Sequence, residues 1–212
     1  MHVGYFQQHI VRAIKLAAAA LKAEQDLFMS WASRKFGDVG SWNHGAHFDD
    51  CFTVIWDGFP LPVQKPTKWD GDAELVYSGK YKACVYKGHV GITFWGGIVA
   101  CTGPHPGTWH DKKIWAMEQA MFPMEAGEMA LGDLAYHSCE QVLTGRKHPR
   151  VGTNAVPWSE EDEFTRNLIA HYRSRVEIVI RRIKQPGWCQ HIFRGSYELF
   201  VASFDITTLM AG

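Results

Sequence analysis

The chain has 212 residues, 46% hydrophobic and 21% charged, with 22 Lys or Arg matched by 22 Asp or Glu. That size supports one sizeable core, and the balanced charge gives no overall drive toward a polyanion. No stretch is apolar for long enough to span a membrane, and the N-terminus lacks the ordered charged, apolar and small-residue regions of a signal peptide.

In chain order, Tyr5 to Phe36 is predicted as a helix whose apolar face, including Ile14 to Leu21, is interrupted by charges. Trp42 to Asp50 is polar and leads into the first strand. Residues 1–50 are therefore expected to be a helical extension and 51–212 the main domain. Cys51 to Pro60 is rich in β-branched and aromatic residues and is predicted as a buried strand that ends at Gly58 and Pro60, with Asp57 at its end. Lys82 to Phe94 and Ile98 to Thr102 are expected to form a hairpin around Trp95, Gly96 and Gly97. Pro104 and Pro106 make Gly103 to Gly107 a stiff loop, and Thr108 is placed to cap a helix over Trp109 to Met121. That helix is partly apolar through Ile114, Met117 and Phe122.

Met129 to Leu131 is a short apolar strand that delivers Asp133 after Gly132. Arg146 to Trp158 is a loop broken by Pro149, Gly152 and Pro157, and Ser159 marks the start of a long helix. From Glu163 to Gln185 that helix holds no Gly or Pro, and Ile169, Tyr172, Val176, Val179, Ile180 and Ile183 recur on its core face. Arg173, Glu177, Arg181 and Lys184 share another stripe. A solvated, salt-bridged face would read the same way. The tail, Tyr197 to Met210, is apolar and is expected to pack back on the core.

Charge is unevenly placed: residues 143–194 hold ten Lys or Arg against five acids, which suggests a modest basic surface. The five cysteines are scattered without zinc or redox spacing, so reduced intracellular thiols are expected. The eleven histidines form no metal motif, and only His110, beside Asp111, draws notice.

Five blocks in order carry a resemblance. WDGFPLPV (Trp56 to Val63), YSGKYKACVYKGHVGI (Tyr77 to Ile92), GPHPGTWHDKKIW (Gly103 to Trp115), LGDLAY (Leu131 to Tyr136) and RSRVEIVIRRIK (Arg173 to Lys184) together resemble the DDE nuclease domain of Harbinger-type (PIF/Harbinger) transposases. The resemblance implies an α/β, ribonuclease-H-like fold, a mixed central sheet flanked by helices, and the element order read above is the order of that fold. It implies Asp57, Asp133 and Glu177 as catalytic acids and metal ligands. Asp111 is either an accessory acid or a carboxylate that stabilises a helix N-terminus. Phe59 departs from the Thr usual after Asp-Gly, and Ala170 stands where the wider signature has Tyr.

Three carboxylates suit two Mg²⁺ or Mn²⁺ ions, which prefer oxygen donors and promote phosphodiester cleavage. Arg173, Arg181 and Lys184 are then the expected phosphate contacts. The implied activity is DNA cleavage with or without strand transfer, and the alternative is a non-catalytic relative that binds DNA or protein. Residues 1–50 are too short for a full DNA-reading domain, so a truncated chain or a separate DNA-binding partner protein is expected, and a homo-oligomer stays open. The family's address is the nucleus in a eukaryotic host; otherwise a soluble cytoplasmic protein is expected.

Overall fold

A computed structural model describes residues 12–17, 19, 52–66, 73–94, 96–119, 121, 124, 129–145 and 159–211. Of the expected N-terminal helix, residues 12–17 and 19 are helical and the rest lies outside the described residues, as do Trp42 to Asp50, Phe122 and Arg146 to Trp158.

The order is β1 (Phe52–Pro62), α1 (Ala73–Val76), β2 (Tyr77–Ser78), β3 (Ala83–Ile92), β4 (Ile98–Pro106), α2 (Asp111–Glu118), β5 (Met129–Leu131), a 3₁₀ turn (Leu134–Tyr136), β6 (Val142–Leu143), α3 (Glu160–Ile183), α4 (Gly187–Gln190) and α5 (Tyr197–Ala211). The strands form one mixed, six-stranded sheet in the order β2-β3-β1-β5-β6, with β4 also paired to β3. β1 runs antiparallel to β3 and parallel to β5, and β6 is parallel to β5.

Strand alternation in β1 sends Val54 and Trp56 to one face and Ile55, Phe59 and Leu61 to the other. The second set packs with Val90, Ile92 and Leu131 against Ile169, Val176, Val179 and Ile183 of α3 and Phe200 and Phe204 of α5. The first set joins Val99, Trp115 of α2, Ala130 and Tyr136. Where aromatic rings lie flat on the sheet, β3 carries glycine: a Cβ on Gly88 would stand 2.3 Å from the Phe59 ring. α3 stops at Ile183, shortly before Pro186, which disfavours helix in the residue ahead of it and caps the short α4 instead. The apolar tail is helix α5, which packs on α3 and β4 as its composition implies.

Three local expectations are corrected. β1 does not end at Gly58 or Pro60: it pairs with β3 through Pro62↔Val85, so Asp57 lies within the strand opposite Val90. β5 pairs with β1 only from Phe52 to Ile55, which leaves the other edge of β1 without a strand there among the described residues, and a proline lacking an N–H is tolerated on such an edge. Gly103 to Pro106 is not a loop but the end of β4, on the outer side of β3, where the same rule admits Pro104 and Pro106. Thr108 does not cap α2. Its N–H and hydroxyl both donate to the Leu75 carbonyl, at 3.1 Å each, and the helix begins three residues later with no side-chain cap from His110. It also ends at Glu118, leaving Met117 half exposed.

Cys84, Cys101, Cys139 and Cys189 are free thiols, and burial pushes Cys189 up to about 12. No helix among the described residues is long and apolar enough to cross a membrane.

Candidate functional site

β1 and β5 are in register at Ile55↔Leu131, and Asp57 and Asp133 each stand two residues farther on. Because β5 stops at Leu131, the chain at Asp133 is free to turn while β1 continues beside β3. Asp133 caps the 3₁₀ turn, its Oδ1 accepting from the Ala135 N–H at 2.7 Å. Asp57 Oδ1 accepts from the Gly58 N–H at 2.8 Å, which fixes the carboxylate plane on a rigid strand.

Glu177, on α3, is linked to Asp57 only through a cation. Arg173 Nη2 lies 3.5 Å from Asp57 Oδ2 and 4.0 Å from Glu177 Oε1, one helical turn along α3. The guanidinium thus bridges an acid of the sheet to an acid of the helix. Its Nε is buried and has no hydrogen-bond partner among the described residues. Arg173, expected on a phosphate, is in this arrangement the counter-ion of two of the three expected acids.

Asp57 feels the crowding of charge. Burial raises its carboxyl above the ordinary carboxylate range, Arg173 opposes that rise, and the negative charges of Asp133 and Asp111 add to it. Asp111 stands in the first turn of α2, and its Oδ1 would be 3.0 Å from a Cβ on Gly58. That carboxylate is engaged by buried Lys87, whose Nζ donates to Asp111 Oδ1 at 3.2 Å and to the Trp109 carbonyl at 2.6 Å. Asp111 is therefore held as an ion-pair partner of β3.

Beyond Glu177, α3 and α4 enclose an open depression of about 480 Å³ lined by Glu177, Ile180, Arg181, Lys184, Gln185 and Gln190. Arg181 and Lys184 thus share one groove with Glu177, while Arg173 points back to the sheet.

The sequence reading missed Lys87, Lys80 and Tyr81. Lys80 and Tyr81 occupy the turn before β3, with Lys80 Nζ 5.4 Å from the Tyr81 ring centre. Burial would lower the Lys80 ammonium, but Tyr81, Asp111 and Asp133 together raise it. Burial, followed after the opposing pull of Lys80 by the charge of Asp111, raises the Tyr81 phenol. The interleaved Lys-Tyr-Lys of residues 80–82 was the available signal.

Among the described residues no three His, Cys, Asp or Glu side chains stand close enough together to hold one ion. The donor chemistry nevertheless fits a hard dication: the candidates are carboxylates, and burial, with a smaller part from the negative charges of Asp133 and Asp111, disfavours the ionised form of Asp57. A dication there would offset that repulsion.

A family model described as DDE superfamily endonuclease matches residues 56–202, more than half of the chain. Neither a curated protein nor a solved structure matches.

Proposed function

Since the chain belongs to the DDE superfamily endonuclease family, we propose that it is a metal-dependent DNA endonuclease whose acids are Asp57, Asp133 and Glu177, in a ribonuclease-H-like domain over residues 51–212. The observation that carries this reading is the crowding at Asp57: a buried carboxylate on a sheet strand, pushed upward by Asp133 and tied through Arg173 to Glu177. The five ordered sequence blocks further support the Harbinger subtype, with strand transfer as the extended activity.

Asp57, Asp133 and Glu177 would hold Mg²⁺ or Mn²⁺, two ions in the full site, which supply an activated water and stabilise the leaving oxyanion. The chain's own residues do the positioning. Gly58 and Ala135 each donate a backbone N–H to Oδ1 of an aspartate, which orients the two carboxylates, and Asp57 Oδ2 is the oxygen that faces Arg173. Arg181 and Lys184, lining the groove beside Glu177, offer positive charge to a phosphate chain. Arg173 would serve as the first counter-ion of the acids and exchange to phosphate. Sequence recognition is assigned in this reading to a separate DNA-binding partner protein.

A second reading is a non-catalytic relative that binds DNA or protein, and it is favoured by the lack of a three-acid cluster among the described residues. Titration calorimetry with Mn²⁺ separates the two. The parent chain should bind, the doubly substituted Asp57→Asn, Asp133→Asn chain should not, and Glu177→Gln should lose plasmid nicking while keeping its affinity for DNA in chelator. A parent that binds no Mn²⁺ in the presence of DNA would establish the second reading.

A further inference from the structure

Beneath the acids lies a polar cluster that the proposed chemistry does not use. His89 of β3 is completely buried, Glu118 at the end of α2 is 2% exposed, and Tyr136 is completely buried. Glu118 Oε2 bonds His89 Nδ1, and His89 Nε2 lies 2.5 Å from Tyr136 Oη. The other carboxylate oxygen of Glu118 accepts from Thr102 Oγ1 and from His105 Nε2, the latter at 3.1 Å. Burial alone would raise the Glu118 carboxyl, but hydrogen bonds from His105 and His89, the charge of His89 and the Thr102 hydroxyl bring it below its ordinary value. An ionised carboxylate only accepts, so His89 Nδ1 carries a proton toward Glu118, and Nε2 accepts from the tyrosine hydroxyl when the ring is neutral and donates to it when the ring is charged.

An acid, an imidazole and a hydroxyl in line could be read as a nucleophilic relay. Burial excludes that, because a substrate atom would have to reach a hydroxyl with no exposed surface. What the line does instead follows from its neighbours. The His89 ring stacks on Trp56, centroids 4.8 Å apart and 19° from parallel, and Trp56 immediately precedes Asp57. On its other side Tyr136 closes the turn that Asp133 opens, and its ring packs so tightly on the preceding backbone that a Cβ on Gly132 would lie 2.8 Å from it. One imidazole therefore touches the residue before the first acid and fixes the turn that follows the second. A carboxylate, an imidazole and a phenol are costly to bury when an apolar cluster of equal volume would fill the same space.

We infer that His89, clamped by Glu118 and Tyr136, is a positioning residue that sets the separation of Asp57 and Asp133 for metal binding. The inference rests on the proposed metal-dependent site and names residues outside it. Fixed ligand geometry matters most for Mg²⁺ and Mn²⁺, and partners behind a ligand typically change metal affinity by about 10–100-fold.

The test uses the full chain, Mn²⁺ calorimetry and thermal unfolding in parallel. Tyr136→Phe deletes one hydroxyl and keeps the ring that packs on Gly132; it should weaken Mn²⁺ binding about tenfold with little change in the unfolding midpoint. His89→Leu should weaken it further, and His89→Gln, whose amide can both donate and accept, should recover part of the loss. Thr102→Val, one bond farther out, should act in the same direction more weakly and serves if the His89 variants do not fold. If Asp57→Asn loses Mn²⁺ while Tyr136→Phe binds it as the parent does, the positioning role is overturned and the site stands. A parent chain that binds no Mn²⁺ overturns both.

Discussion

Asp57 pits burial and charge against each other in one carboxyl. Burial is the largest cause of its raised value, Arg173 opposes, and Asp133 and Asp111 reinforce. A carboxyl raised in the folded state binds its proton more tightly there than in the unfolded chain. Its contribution to stability therefore falls as pH rises from its ordinary value of 3.8 through the raised folded value, above which the penalty is complete. Asp57→Asn, studied in chelator, is predicted to be more stable than the parent at pH 7 by about 0.5–2 kcal/mol, the usual scale when a functional group is traded for stability. The gap should close as the pH approaches 3.8. Urea unfolding at several pH values measures it, and a variant less stable than the parent at pH 7 would show that the Arg173 ion pair outweighs burial. Arg173 supplies the complementary case. Arg173→Met removes a unit charge that competes with a dication for Asp57 and Glu177, so Mn²⁺ affinity should rise about fivefold, near 1 kcal/mol, while DNA affinity falls. Calorimetry showing weaker Mn²⁺ binding would make the guanidinium a support of the acids and not a competitor.

At the scale of elements, α2 is held to the sheet by charge as much as by its apolar face. Lys87 with Asp111 ties its first turn to β3, and His89 with Glu118 ties its last. Removing one partner from a buried pair strands the other, and Glu118→Ala is predicted to cost about 3–5 kcal/mol in urea unfolding. The Glu118 carboxyl is depressed in the folded state, so its stabilisation is present above its ordinary value of 4.5 and is lost as pH falls through the lower folded value. The parent and variant curves should therefore converge in acid, opposite in direction to the Asp57 case in which the variant is the more stable chain. These ties explain what the sequence showed and what it concealed. The α3 core stripe and the Asp57 and Asp133 positions were legible because helical period and strand composition are local. The Lys87 and His89 pairs were not, since their partners lie 24 and 29 residues away and a Lys and a His two apart in a strand resemble a solvated face. The premature end assigned to β1 has a similar cause. Gly58 and Pro60 are local stop signals, but β3 continues alongside them and overrides those signals by antiparallel pairing.

For the molecule as a whole, equal numbers of basic and acidic residues mean that net charge gives it no attraction to DNA. In the proposed reading, attraction comes from the surface near Glu177, where Arg181 and Lys184 line one groove and Arg173 pairs with Glu177. If those three cations make the phosphate contacts, binding should be weak and its dependence on salt shallow. With a slope of roughly 0.9 per neutralised phosphate, log affinity should fall about 2.7-fold as fast as log salt rises. The double substitution Arg181→Glu, Lys184→Glu should remove about two phosphates' worth of that slope and weaken binding to unrelated duplexes equally, because phosphate contacts carry no sequence information. The core would not be touched: Arg181 is exposed and Lys184 only partly covered, whereas Val179 and Ile183 on the opposite stripe bear the packing. A fluorescence titration over a range of salt concentrations reads the slope directly. An unchanged slope would move the DNA path off α3 and toward the turn of Lys80 and Tyr81, on the other approach to Asp133, where a basic and an aromatic side chain already respond to the charge of the acids.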